Sequence, residues 1–89
     1  MLSYHLIVSG DVQGVGFRGG AARTATRLGL RGWVKNNNDG TVESIVQGPK
    51  EACEEYIDWC KKGSVSSRVH AVHVEKTEED MCEGFEILQ

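Results

Sequence analysis

Proline is nearly absent from this chain: Pro49 is the only one among 89 residues. With no repeat and no low-complexity tract either, nothing reads as a linker, and a single domain over residues 1–89 is expected. No apolar run approaches the roughly 20 residues of a membrane-spanning helix, and the N-terminus lacks a basic segment followed by an apolar one. Neither a membrane span nor a secretory leader is expected. Basic residues are in deficit, ten Lys and Arg against thirteen Asp and Glu, for a net charge of −3. General nucleic-acid binding needs clustered Lys and Arg, so no nucleic-acid partner is expected and any anion site must be local. Aromatics, at 7%, are too sparse for base-stacking platforms, and Trp33 and Trp59 read as packing residues. Cys53, Cys60 and Cys82 are odd in number and lack the CxxC spacing of a zinc site. Cys53 and Cys60 lie on an expected helix with their Cα atoms about 10 Å apart, too far to pair. Free thiols in a reducing, cytoplasmic compartment follow; Cys82, in a loop, could pair with one of the other two only under oxidation.

Glycine, by contrast, is concentrated where a strand should end. The stretch Gly10-Asp11-Val12-Gln13-Gly14-Val15-Gly16-Phe17-Arg18 follows an apolar run, Tyr4 to Ser9, and ends in an arginine at the mouth of an expected helix. Glycine lets a loop take positive φ, and successive inward N–H groups form a nest for phosphate or carboxylate. A helix N-terminus adds unpaired donors, and a guanidinium adds a planar fork that fits two oxygens at once. Taken alone, this stretch is either an anion cradle or an ordinary glycine-rich connection bearing a surface arginine.

The rest of the chain supplies a frame. Residues 4–9 are apolar on both parities, as in a central strand. From Gly19 to Leu28 the period is helical, with Ala21, Ala25 and Leu28 on one stripe, Arg23 and Arg27 on a solvated face, and Gly29 as the stop. Gly32–Asn37 and Thr41–Gln47 read as strands joined by the turn Asn38-Asp39-Gly40. In the second of these, Val42, Ser44 and Val46 share a face. Pro49 should occupy the first position of a second helix, whose stripe is Cys53, Tyr56, Ile57 and Cys60 and whose end is Lys61-Lys62-Gly63. Arg68–Lys76 reads as a fourth strand, and Phe85–Leu88 as a short terminal strand that periodicity cannot place in the sheet. The order βαββαβ plus a short C-terminal strand predicts an α+β, ferredoxin-like α/β sandwich with both helices on one face of an antiparallel sheet. Right-handed crossovers give the strand order 4-1-3-2, which puts the first strand, and the cradle at its end, near the centre.

Read together with Leu28-Gly29-Leu30-Arg31-Gly32-Trp33-Val34-Lys35-Asn36 and Asp39-Gly40-Thr41-Val42-Glu43, the opening stretch resembles the acylphosphatase family. The pattern is G-x-V-Q-G-V-x-F-R, then L-G-L-x-G-W-V-x-N, then D-G-x-V-E and the glycine Gly48, covering residues 10–48 with Arg18 and Asn36 eighteen apart. This resemblance implies hydrolysis of the carboxyl-phosphate bond of small acyl phosphates to a carboxylate and inorganic phosphate. It implies no metal and no organic cofactor. It further implies that Arg18 and the loop amides of Val12, Gln13, Gly14, Val15, Gly16 and Phe17 bind the phosphoryl group, while Asn36 positions the attacking water. The expected partner is a small-molecule acyl phosphate, and the expected state is a monomer.

The residues are compatible with that chemistry. Neither motif holds a nucleophile beside a base. A carboxylate leaves readily, its conjugate acid having a pKa of about 4, and a loose phosphoryl transition state asks mainly for positioning and donors. Asn36 shares its parity with Val34, so both should face the helix layer near the strand end where the first helix begins. Asn37 and Asn38 read as turn formers. His70 and His73 have opposite parity, which argues against shared metal ligation; His5 reads as a plain strand residue, and Glu78-Glu79-Asp80 as a solvated loop. The family commonly carries an aromatic and then bulkier residues after the arginine; Gly19-Gly20-Ala21-Ala22 stand here instead. A more open entrance is expected, along with a helix weakened by up to about 1 kcal/mol per glycine, so that Gly20→Ala should stabilise if Gly20 is helical. Two further readings are a silent anion-binding module on the same fold and an isolated relative of acylphosphatase-like segments in larger maturation proteins, acting on carbamoyl phosphate. The initial Met1 and the complete final strand favour an independent protein. The aromatic strands of an RNA-recognition module are missing.

Overall fold

The computed structural model describes residues 2–88. Its elements are β1 (Leu2–Asp11), α1 (Phe17–Arg27), β2 (Arg31–Asn36), β3 (Val42–Gln47), α2 (Lys50–Lys62), β4 (Arg68–Glu78) and β5 (Phe85–Leu88). They form one five-stranded sheet in the order β4-β1-β3-β2-β5. Its first four strands pair antiparallel in the expected order.

Strand alternation builds a single core layer. Tyr4, Leu6 and Val8 of β1, Val34 of β2, and Val42 and Val46 of β3 are buried on one face. They meet Phe17, Ala21 and Ala25 of α1 and Cys53, Tyr56, Ile57 and Cys60 of α2 in one apolar cluster. The α2 stripe is the expected i, i+3, i+4, i+7 set. Ser44 shares this dry face because its hydroxyl donates to the Trp33 carbonyl at 2.7 Å and bonds the Tyr56 hydroxyl at 2.8 Å.

Three expectations need correction. The sheet is mixed, because β5 pairs with β2 in parallel. The chain leaves β4 at one sheet edge and returns to the opposite edge, and the buried Gln47 side chain holds the crossing segment. Gln47 Nε2 donates to the Asp80 carbonyl at 2.8 Å, and its Oε1 accepts from the Cys82 amide at 2.8 Å. The parallel direction sends the C-terminal end of β5 to the same end of the sheet as Asn36. Pro49 is the N-cap, with an extended ψ of 144°, and Lys50 is the first helical residue. Finally, α1 begins at Phe17 rather than Gly19, which puts Arg18 inside its first turn. Among the described residues no helix is long and apolar enough to cross a membrane.

Candidate active site

The loop between β1 and α1 is built by glycine. Gly14 and Gly16 have φ of 73° and 78°, left-handed values that side-chain-bearing residues adopt only at a cost. Gly16 caps α1 with no side chain, and its carbonyl accepts the first helical bond, from the Gly20 amide at 3.0 Å. The amides of residues 17–19 therefore have no intrahelical partner. Among the described residues, the amides of 14–19 meet no backbone acceptor. Donors with the positive end of a helix dipole behind them make an anion site.

Arg18 and Asn36 complete it. Arg18 is half-buried, and among the described residues its one hydrogen bond is a long 3.5 Å contact from Nη1 to the Leu88 carbonyl. Among the described residues it has no carboxylate partner. Asn36 ends β2 on the same side as the fully buried Val34. Its Oδ1 is buried and meets no hydrogen-bond donor among the described residues. Gly14, Gly16, Arg18, Gly19, Asn36 and Ile87 surround a cavity of about 150 Å³, with Val12 and Phe17 beneath. That is smaller than the roughly 300–1,000 Å³ of ordinary small-molecule pockets, so the cavity has room for a group of about phosphoryl size and not for a whole ligand.

Two residues of the expected set do not line the cavity. The Gln13 side chain turns to the β2–β3 hairpin, where Nε2 donates to the carbonyls of Asn37 at 2.7 Å and Thr41 at 2.9 Å. Val15 packs against the core, and its carbonyl accepts from the Ser64 hydroxyl at 2.8 Å. Both shape the loop from behind. The hairpin that Gln13 grips is itself braced, since Asp39 Oδ1 accepts from the Thr41 amide and hydroxyl at 3.0 and 2.6 Å. Ile87 and Gly19 were missed as lining residues. Ile87 carried no signal, because the partner and direction of the last strand were illegible.

No cysteine lines the cavity. Burial pushes the Cys60 thiol up to about 12 and raises that of Cys53, so neither supplies a thiolate near neutral pH. Among the described residues no group of three or more His, Cys, Asp or Glu could hold a metal ion. His70 and His73 are both exposed on β4.

The family model for acylphosphatases matches residues 4–87. An acylphosphatase of Trichormus variabilis is 42% identical over 87 residues, spanning 98% of this chain and 86% of the relative. The crystal structure of acylphosphatase from Bacillus subtilis is similar over the full length of both chains, with a TM-score of 0.96 and 39% identity. HypF of T. kodakarensis is similar over 99% of this chain, with a TM-score of 0.88 and 34% identity, but over only 12% of its own length. The chain belongs to the acylphosphatase family, and it is a hydrolase of acyl phosphates.

Proposed function

We propose that the phosphoryl group of a small acyl phosphate is held by the loop amides of residues 12–18 and the Arg18 guanidinium, and that Asn36 orients the attacking water. Asn36, which lines the cavity and whose buried Oδ1 meets no donor among the described residues, carries this reading. An acceptor removed from water without a donor costs roughly 1–3 kcal/mol, a burden that a bound water proton relieves. The Asn36 amide group can meanwhile donate to a phosphoryl oxygen.

The step needs little else from the protein. The water oxygen bonds to phosphorus as the phosphorus–acyl oxygen bond breaks, and the carboxylate leaves with the electron pair. The water's protons remain with the new phosphate or pass to solvent. Amides and guanidinium stabilise the charge spread over the phosphoryl oxygens. Holding water in line supplies part of the roughly 7–11 kcal/mol available from ideal intramolecular geometry. Simple alkyl phosphate esters, with poor leaving groups, are not cut at a useful rate.

A monomer working as a single domain suffices for this reading, since the proposed groups lie on α1, β2 and the loop between β1 and α1. The three free thiols support a reducing, cytoplasmic setting. Hydrolysis of benzoyl phosphate in ¹⁸O-labelled water tests the direction of attack. Label in the inorganic phosphate is expected; label in benzoate would place the attack at the carbonyl carbon and overturn the assignment.

A further inference from the structure

Arg23 lies outside the machinery described above, yet its guanidinium reaches the rim of the site. A Cβ built on Gly19 would lie 3.4 Å from Arg23 Nη1. The Arg23 side chain thus runs back along α1 toward the helix N-terminus, the direction helical side chains favour. Its Nη1 is no more than about 5 Å from Gly19 Cα. Gly19 lines the phosphoryl cavity, and Arg23 itself borders a groove of about 330 Å³ beside Gly20, Ser64 and Trp59. Arg23 therefore stands between the two.

The charge is also uncommitted. Arg27, one turn further on, lies 3.8 Å from Glu55. Among the described residues Arg23 has neither an ion-pair nor a hydrogen-bond partner. A side chain at position 19 would stand between this guanidinium and the cavity mouth, and glycine leaves the path clear. The cavity encloses only the head of an acyl phosphate, so the acyl part must lie over the rim.

We infer that Arg23 is a specificity residue that favours acyl phosphates carrying a second carboxylate on the acyl group. The inference rests on the phosphoryl group occupying the loop and Arg18 as proposed. The carboxylate would accept a forked pair of hydrogen bonds from the guanidinium across Gly19. Arg23 is exposed, so the preference is modest, between about twofold and fivefold, and shrinks as salt rises.

The test compares kcat/KM for para-carboxybenzoyl phosphate and the similarly sized para-methylbenzoyl phosphate, at low and high salt. Wild type prefers the carboxylated substrate; Arg23→Ala loses the preference and Arg23→Lys keeps part of it. A merely structural role would lower both substrates alike, and that result, or an unchanged ratio in Arg23→Ala, would overturn the inference. Calorimetric binding of phenacylphosphonate and its para-carboxy derivative, which are not hydrolysed, separates this inference from the site on which it rests. Tighter binding of the carboxylated analogue by wild type but not by Arg23→Ala supports it. Equal binding of both by wild type overturns this inference alone, and binding of neither overturns the phosphate site and the inference together.

Discussion

Gln13 Nε2 donates to the Asn37 carbonyl at 2.7 Å, tying the glycine-rich loop to the strand end that carries Asn36. A second bond, to the Thr41 carbonyl at 2.9 Å, makes the tie two-pronged. The two halves of the site come from different elements, and this amide sets their separation. Gln13→Ala is expected to lower kcat/KM about tenfold, equivalent to about 1.4 kcal/mol. Stability should fall by about 1 kcal/mol, because both carbonyls keep another donor. Gln13→Glu should be worse than alanine, since it sets carboxylate oxygens against carbonyls. Steady-state kinetics and urea unfolding of the two variants check this.

Gly20 reverses an expectation. It is helical, so alanine would ordinarily stabilise it by up to about 1 kcal/mol. A Cβ there would lie 2.5 Å from Trp59 Cζ2, and Trp59 in turn packs on Phe17 with ring centroids 5.1 Å apart. Overpacking of this kind costs about 1–3 kcal/mol. Gly20→Ala should therefore lower the Tm by several degrees, a loss of about 1 kcal/mol corresponding to about 4–8 °C in a domain of this size. Calorimetry, with Trp59 fluorescence as a local probe, measures it.

Glu43 gives an acid-side stability term. A hydrogen bond with His5 Nε2, 2.6 Å away, holds its carboxyl below the ordinary value, with smaller help from Asn37, the His5 charge and Lys35 and against the effect of burial. A depressed carboxylate contributes stability above the unfolded value of about 4.3 and loses it as pH falls through the folded one. Glu43→Gln should lower stability at pH 6 by under about 1 kcal/mol and by much less at pH 3, since the pair is partly solvated. Urea midpoints at the two pH values decide; an equal loss at both would remove Glu43 from the account.

The amphipathic helices, the Ser44 face and the order of the first four strands were all legible, because periods of 3.6 and 2 and a turn at Asp39-Gly40 act locally. That Arg18 and Asn36 line one cavity was legible through two motifs in register. Gln13, Ile87 and the Gly20–Trp59 contact were not. Gln13 sits within the motif, but its side chain acts on a hairpin 24 residues away. The direction of β5 depends on Gln47 gripping Asp80 and Cys82, a contact between segments more than 30 residues apart. Gly20 reads as a weak helix residue until the indole packed against it is seen.

Metal removal should leave turnover intact. The proposed groups are amides, a guanidinium and a carboxamide, none of which needs a cation to act on an acyl phosphate. Hydrolysis of benzoyl phosphate after exhaustive treatment with chelator is expected within about twofold of the untreated rate, a change of under about 0.5 kcal/mol in barrier. A rate abolished by chelator and restored by one divalent ion would contradict the residue assignment.

Asn36→Ala, assayed with benzoyl phosphate beside competition by inorganic phosphate, tests the central claim most directly. Asn36 is assigned to water and Arg18 to phosphate, so kcat should fall about a hundredfold, or about 2.7 kcal/mol, while the phosphate inhibition constant stays near that of the wild type. Arg18→Ala should lose both. An Asn36→Ala enzyme that turns over at an undiminished kcat would contradict the account.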